Sequence, residues 1–362
     1  MKVRALALVL CLVVAGCRHQ ATKPLAGPFS EQELKQFTSL NPIDAHTHVF
    51  VNDPEFLALL NRLNLHLLNI IVVDDTNDRR QSLAAERQEG WDFAHASDNR
   101  VSVCTTFDPY LFSKPDFSQS AIRQINADFD RGAVAVKIWK NVGMELKNAS
   151  GNYVLPDNPT FEPIYQDIAA HNKTLIEHLA EPDAAWEAAN PKSLSYRYYR
   201  DNPQWSMYSK PGAPSKAKIL EARDHVMEQH PTLRVVGAHL GSMEDDFTQL
   251  GEHLDRYPNF AVDLAGRMPY LMKQPRNEMI AFVTKYQDRL IFGTDLEMGF
   301  GEKEVPGAKP ALEDNYARVW RYFATDDTLT FADGTIQGLA LPPPVVRKIY
   351  HDNAVRWFPG IM

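Results

Sequence analysis

The sequence predicts an α/β chain folded as a single (β/α)8 TIM-like barrel, with long loops after strands 5 and 8. Three observations predict it. Eight short β-like segments alternate with helix-favouring stretches, the pattern of parallel strands joined by crossover helices. Several of those segments end in His or Asp, and barrel enzymes place their chemistry at the C-terminal ends of strands. The chain has 362 residues, 44% hydrophobic and 23% charged, which suits a barrel of well over ~250 residues built as one unit.

The chain opens with Lys2 and Arg4, then an apolar run from Ala5 to Gly16 broken only by Cys11. As a helix that run rises ~18 Å, short of the ~30 Å core of a bilayer. It therefore reads as a secretory signal rather than a membrane span. Its end, Val14-Ala15-Gly16-Cys17, resembles a bacterial lipoprotein signal. The resemblance implies removal of residues 1–16 and a lipid on Cys17. Residues 17–40 then form a tether and residues 41–362 the barrel. The expected location is the bacterial cell envelope, facing the periplasm, with the membrane touched only through the lipid. Arg18, following Cys17, points to the outer membrane.

Strands are expected at Pro42–His46, Leu67–Val73, Val101–Thr106, Ala133–Ile138, Thr174–His178, Leu233–His239, Phe260–Leu264 and Leu290–Asp295. Helices are expected between them at Pro54–Leu63, Ser82–Ala96, Ser118–Phe129, Pro163–Asn172, Lys216–Gln229, Glu244–Tyr257 and Tyr270–Tyr286. Pro344–Trp357 closes the chain. The loop from Glu181 to Ser215 follows strand five and carries Tyr196, Tyr198, Tyr199 and Trp205. The loop from Leu296 to about Pro342 follows strand eight and holds a helix near Pro310–Ala324. Both fall on the active-site face of a barrel, as lids or pocket walls.

Composition removes several function classes. A net charge of −8 lacks the basic footprint of nucleic-acid binding. Three cysteines, Cys11, Cys17 and Cys104, do not make a disulfide scaffold. Cys104 lies inside strand three and reads as core. The sequence has neither a Gly-rich phosphate loop nor a Gly-x-Ser-x-Gly elbow.

The strand ends carry the chemistry. Strand one ends Asp44-Ala45-His46-Thr47-His48, and two histidines at i and i+2 point to one side of an extended chain. With 12 histidines in the chain, such a pair means little alone. Strand five ends in His178, strand six in His239 and strand eight in Asp295. Parity puts Ile176 with His178, Val235 and Gly237 with His239, and Ile291 with Asp295. His46, His48, His178 and Asp295 suit one divalent metal ion, Zn²⁺ with Mn²⁺ or Fe²⁺ as alternatives. A catalytic site of this kind leaves a position for water, whose proton Asp295 can take. His239 can serve as acid or base, or polarise a carbonyl.

Asp44-Ala45-His46-Thr47-His48, His178, His239 and Gly293-Thr294-Asp295 together resemble the metal-dependent amidohydrolase superfamily. The stretches His178–Pro182, Ala238–Ser242 and Asn353-Ala354 resemble its amidohydrolase-related branch. That branch includes lactonases of dicarboxylate rings and nonoxidative decarboxylases of aromatic or muconate-type acids. The resemblance covers Asn41 to about Phe358. It implies a distorted barrel with one or two metals, one rather than two in this branch. His46, His48 and His178 match the metal histidines, Asp295 the strand-eight aspartate, and His239 the catalytic histidine.

Lys137 and Trp139 share the inward face of strand four. A buried lysine needs an anionic partner or a shifted pKa. Lys137 is expected to bind a substrate carboxylate or pair with Asp295. In binuclear members of the resembled superfamily, a lysine there is carbamylated and bridges two metals. Arg267, after Asp263 on strand seven, can hold a substrate carboxylate or form a rim salt bridge. Glu181 can orient a ligand from behind, and Glu177 is expected to pair on the helix side. The expected function is a metal-dependent hydrolase that uses metal-activated water on an ester, lactone or amide of a small anionic or aromatic substrate. The alternative is a nonoxidative carboxy-lyase acting on an aromatic or unsaturated acid. A third reading is a lipid-anchored binding protein, which the proton-handling pair Asp295 and His239 argues against. Oligomeric state is left open.

Overall fold

The strand β1, Ile43–Val49, is buried along its whole length. It lies between β2 (His66–Ile70) and the short β9 (Leu296–Met298). From β2 the parallel sheet continues through β3 (Val101–Thr106), β4 (Ala135–Ile138), β5 (Thr174–Glu177), β6 (Arg234–Gly237), β7 (Phe260–Asp263) and β8 (Leu290–Ile291). The Ala45 N–H donates to Phe292 O at 2.9 Å, and the Asp295 N–H donates to His46 O at 2.9 Å. Those two bonds bring the chain after β8 back onto β1. This is the expected TIM-like α/β barrel. The computed structural model describes residues 26–73, 83–299, 308–331 and 334–362. The signal segment 1–16, Cys17 and the first part of the tether lie outside the described residues. Among the described residues, no helix is long and apolar enough to cross a membrane.

Strand parity sorts the core into two layers. Ile43, Leu68, Cys104, Ala135, Ile176, Val236, Ala261 and Ile291 fill the barrel interior. Trp357, Phe358 and Ile361 join that cluster, and their backbone carbonyls tie them to the strands: Ser102 Oγ donates to Ile361 O at 2.8 Å and the Thr174 hydroxyl to Trp357 O. Asn353 Nδ2 donates to Leu290 O at 2.7 Å, which fixes the last helical segment beneath strand eight. The alternate residues, such as Leu67, Val136, Leu175, Val235 and Val262, face the helices.

Local sequence explains most helix ends. Asp53 caps Pro54–Leu63, and Phe56, Leu59, Leu60 and Leu63 form its buried stripe. Asp246 caps Phe247–Arg256, so that helix starts three residues later than expected. The expected helix Tyr270–Tyr286 is two pieces, Met268–Met272 and Arg276–Lys285, because Pro275 breaks the ladder. The closing helix runs Pro343–Trp357 with a π-helical turn at Lys348–Asp352. Strand eight is only two residues long, since the chain turns at Gly293-Thr294-Asp295 before β9. Thr328–Phe331 and Gly334–Gln337 pair antiparallel, which sequence reasoning did not foresee.

The stretch expected as a tether holds a helix, Glu31–Ser39, with a Ser30/Glu33 capping box. Phe29 and Phe37 stack at 4.7 Å and are buried. Arg321 clamps this segment: Nε and Nη2 meet Glu33 at 2.6 and 2.8 Å, and Nη1 and Nη2 donate to Gly27 O and Pro28 O at 2.8 and 2.7 Å. Arg321→Ala should therefore weaken the docking by roughly 2–4 kcal/mol, since it strands a half-buried carboxylate and two carbonyls. Limited proteolysis checks this. Cleavage within residues 26–40 should speed up tenfold or more while the barrel stays resistant. An unchanged cleavage pattern would contradict the clamp.

Candidate active site

His46 and His48 leave β1 on the same face, and each has its Nδ1 occupied. His46 Nδ1 meets Asp263 Oδ2 at 2.7 Å and His48 Nδ1 meets Ile70 O at 2.8 Å. Both acceptors hold the proton on Nδ1, so both Nε2 atoms keep a lone pair. Asp295 Oδ1 lies 3.5 Å from each of those Nε2 atoms. The ligand atoms of His46, His48 and Asp295 all lie within 4.8 Å of one another. Two oriented imidazoles and a carboxylate converging in this way fit a divalent ion.

Buried carboxylates support the cluster. Asp263 accepts the His239 N–H (2.8 Å) and the Ala265 N–H (3.1 Å) on Oδ1, besides His46 on Oδ2. Burial pushes its pKa up, yet the imidazole of His46 and the charges around it hold it at about 2. Asp44 accepts from Thr294 N and Oγ1 at 2.9 and 2.6 Å and from Tyr316 OH at 2.8 Å. It thereby ties the strand-one histidines to the Gly293-Thr294-Asp295 turn. Burial would raise the pKa of Asp295 as well, but His239, His48 and His46 hold it well below the carboxylate range.

His239 reaches the site by a route that strand parity did not give. Val235 faces the helices and Val236 the interior, so residue 239 in a continued strand would point outward. The chain instead turns left-handed: His239 (φ 58°, ψ 51°), Leu240 (φ 58°), Gly241 (φ 61°) and Ser242 (φ 59°) follow one another. His239 Nδ1 then meets Ala265 O at 2.8 Å, which leaves Nε2 bare. Burial holds its pKa well below the usual imidazole value. Non-glycine residues in this region are costly and gather at functional sites, and Asp295 (φ 64°) and Ala180 (φ 64°) share it.

His178 lies beside His239, ring centroids 4.3 Å apart, at the edge of the tighter His46–His48–Asp295 cluster. Its Nε2 is buried without a hydrogen bond and lies 3.6 Å from Glu181 Oε1. Glu181 is itself ion-paired with Lys140 and accepts from Tyr199 OH at 3.1 Å.

Lys137 is fully buried, as its parity implied, with Nζ 3.3 Å from His46 Nε2. Burial lowers its pKa to about 8. It is not among the residues lining the cavity over the strand ends. Nor is it ion-paired with Asp295 among the described residues; its close partner is the imidazole. Trp139 and Arg267 do line the cavity, which holds about 360 Å³ above His48, His178, His239 and Asp295. Arg267 forms the expected salt bridge, with Nε 3.2 Å from the buried Glu244. The strand-five loop forms one wall: Tyr198 lines the cavity and Ser195 Oγ bonds Tyr270 OH at 2.7 Å.

Sequence reasoning missed Lys140. Its ammonium pairs with Glu181, bonds Tyr198 OH and lies 4.5, 4.9 and 5.2 Å from the ring centres of Trp205, Tyr198 and Trp139. The aromatic residues of the loop were visible in the sequence, but nothing linked them to a lysine 58 positions earlier.

The family model described as amidohydrolase matches residues 43–360. The chain belongs to the amidohydrolase family. A search of the curated proteins found no match. Among solved structures, a 2,6-dihydroxybenzoate decarboxylase from Rhizobium is similar at TM-score 0.52 and 14% identity, covering 88% of this chain and 98% of that one. A dihydroxybenzoic acid decarboxylase from Polaromonas, with bound manganese and the inhibitor 2-nitroresorcinol, gives the same score and identity over 88% and 96%. A 4-oxalomesaconate hydratase from Rhodopseudomonas palustris scores 0.50 at 11% identity over 88% and 96%. At such identities the likeness is one of fold. This amidohydrolase is an enzyme of a metal-dependent family.

Glu177, one residue before His178, faces the opposite way. Both its oxygens are buried without a hydrogen bond, so the expected helix-side pairing is not formed. Burial pushes its pKa from 4.5 up to about 8, against the nearby charge of Arg223. The folded protein therefore takes up a proton here near neutrality. Stability is full below about pH 4.5 and falls as pH rises through about 8. Glu177→Gln should remove that slope. Urea unfolding should show the variant gaining over the parent by a few kcal/mol between about pH 5 and pH 8. A gain independent of pH would contradict the assignment.

Proposed function

We propose that this amidohydrolase-family enzyme hydrolyses an ester, lactone or amide carbonyl of a small anionic or aromatic substrate. The observation that carries this reading is the placement of its two proton-handling groups. Asp295 Oδ1 lies 3.5 Å from the Nε2 atoms of His46 and His48, and His239, with Nδ1 on Ala265 O, presents Nε2 as an acceptor. Both accept protons, and neither has one to give at the outset. Attack by water on a carbonyl begins by releasing a proton; a decarboxylase must deliver one to carbon. A divalent ion held by His46, His48 and Asp295 would supply Lewis acidity toward water and a carbonyl oxygen, with Zn²⁺ first and Mn²⁺ or Fe²⁺ as alternatives.

The Asp295 carboxylate takes the proton from water. Asp295 passes that proton to the leaving oxygen or nitrogen as its bond to the carbonyl carbon breaks, and His239 Nε2 accepts the proton that the newly formed carboxylic acid releases. Trp139 and Tyr198 flank a planar group, and Arg267 holds a carboxylate through the donors that Glu244 does not use. Lys137 takes no part in holding the substrate in this reading. The small molecule is the partner; nucleic acid is not. We further propose that the mature enzyme is anchored by lipid on Cys17 in the cell envelope, as the sequence Val14–Cys17 implies.

A second reading is nonoxidative decarboxylation, which the names of similar structures favour. One assay separates the two. Aryl esters, dicarboxylate lactones and N-acyl amides are offered beside dihydroxybenzoates, with carbonyl cleavage and CO₂ release both followed. The proposal expects cleavage without CO₂, and a drop of ~10²–10⁴-fold in kcat for Asp295→Asn. CO₂ release without cleavage overturns it in favour of the carboxy-lyase. Undiminished turnover in Asp295→Asn overturns the mechanism.

A further inference from the structure

The left-handed turn that carries His239 needs a support, and one lies outside the site. Four successive residues, His239 to Ser242, have φ near +60°, and only Gly241 among them lacks a Cβ. Each non-glycine residue there costs ~1–2 kcal/mol. The turn is packed from below by β7 and by the helix Lys216–Gln229. A Cβ on Gly237 would lie 2.7 Å from Gly241 Cα and 2.7 Å from the Phe260 ring, so the chain doubles back with no room to spare. Arg223, on that helix, is 1% exposed. Its guanidinium lies over the Phe260 ring, 4.9 Å from the centre, and Nη1 donates to Gly241 O at 2.7 Å. Nη2 reaches Asp224 Oδ1 at 3.2 Å, which fixes the plane of the fork.

We propose that Arg223 is a positioning residue for His239. It holds the left-handed turn through the Gly241 carbonyl and so keeps His239 Nδ1 on Ala265 O. Without it, the buried carbonyl loses its donor and the turn loses one of the bonds that offset its backbone cost. The His239 ring then samples other orientations, and Nε2 is no longer presented as the bare nitrogen. The inference rests on the proposed role of His239 in carbonyl hydrolysis, but its structural half can be read without any turnover.

The test compares the parent, Arg223→Gln, Arg223→Lys, and Arg223→Gln combined with Ser242→Gly. Glycine at position 242 lowers the cost of the turn directly. Nitrogen-15 histidine spectra, with His239→Gln for assignment, report the His239 tautomer in metal-free and Zn²⁺-loaded protein. p-Nitrophenyl acetate serves as the hydrolysis probe. The expected result is a single Nδ1–H tautomer in the parent and a mixed or broadened signal in Arg223→Gln. kcat should fall about 30- to 100-fold at nearly constant KM, with zinc content unchanged. Ser242→Gly should restore about tenfold of that loss, and Arg223→Lys, which keeps one donor, should keep the parent tautomer. An unchanged His239 signal in Arg223→Gln overturns the proposal. So does a loss of zinc and a rise in KM that Ser242→Gly does not repair, since that marks a general structural role. If the parent leaves the probe intact, the hydrolytic reading fails, and the tautomer comparison still decides the role of Arg223.

Discussion

Asp263 carries a negative charge inside the barrel, and three groups take their positions from it. Its Oδ2 fixes His46 by the ring, and its Oδ1 fixes the start of the His239 turn and the Ala265 N–H. The Ala265 carbonyl in turn holds His239 Nδ1. One carboxylate thus sets the tautomer of a metal-facing histidine and, through the next loop, of the proton-handling one. Burying an unpaired carboxylate costs several kcal/mol, and this arrangement stands because both of its oxygens are hydrogen-bonded. The histidines need Asp263 as much as it needs them.

The same economy runs along the seam where the barrel closes. Asp44 binds the Thr294 N–H and hydroxyl, and the Asp295 N–H binds His46 O. The strand-one histidines and the strand-eight aspartate are therefore locked to each other by backbone as well as by charge. Strained backbone sits where chemistry is proposed, at His239 and Asp295, and is held by partners on other elements. A fold that stores cost in its site must place rigid supports behind it, and Phe260, Gly237 and Asp263 all come from neighbouring strands.

Much of this was legible in the sequence, and the reasons differ from residue to residue. The barrel was visible because strands buried on both faces read as short apolar runs between amphipathic helices. His46 and His48 were visible because an i, i+2 pair in a strand shares a face whatever the rest of the chain does. His239 was named as a site residue for a faulty reason, since strand six ends at Gly237 and a left-handed turn does the work that parity was credited with. His178 was visible as a strand end and does line the cavity, while Glu181, 3.6 Å from its Nε2, was visible only as a neighbour in sequence. Asp263 was noticed only as a strand end, because its partner His46 is 217 residues away. The helix Glu31–Ser39 did leave a local signal, Ser30 followed by Glu33, which a tether has no need of.

The central claim is that His46, His48 and Asp295 hold one divalent ion. Metal content per chain decides it most directly, by elemental mass spectrometry on protein produced without residues 1–16 and refed with Zn²⁺ or Mn²⁺. The account predicts about one ion per chain, lost when His46 and His48 are both replaced by Ala. No bound metal after refeeding, or metal retained in the double variant, would contradict it.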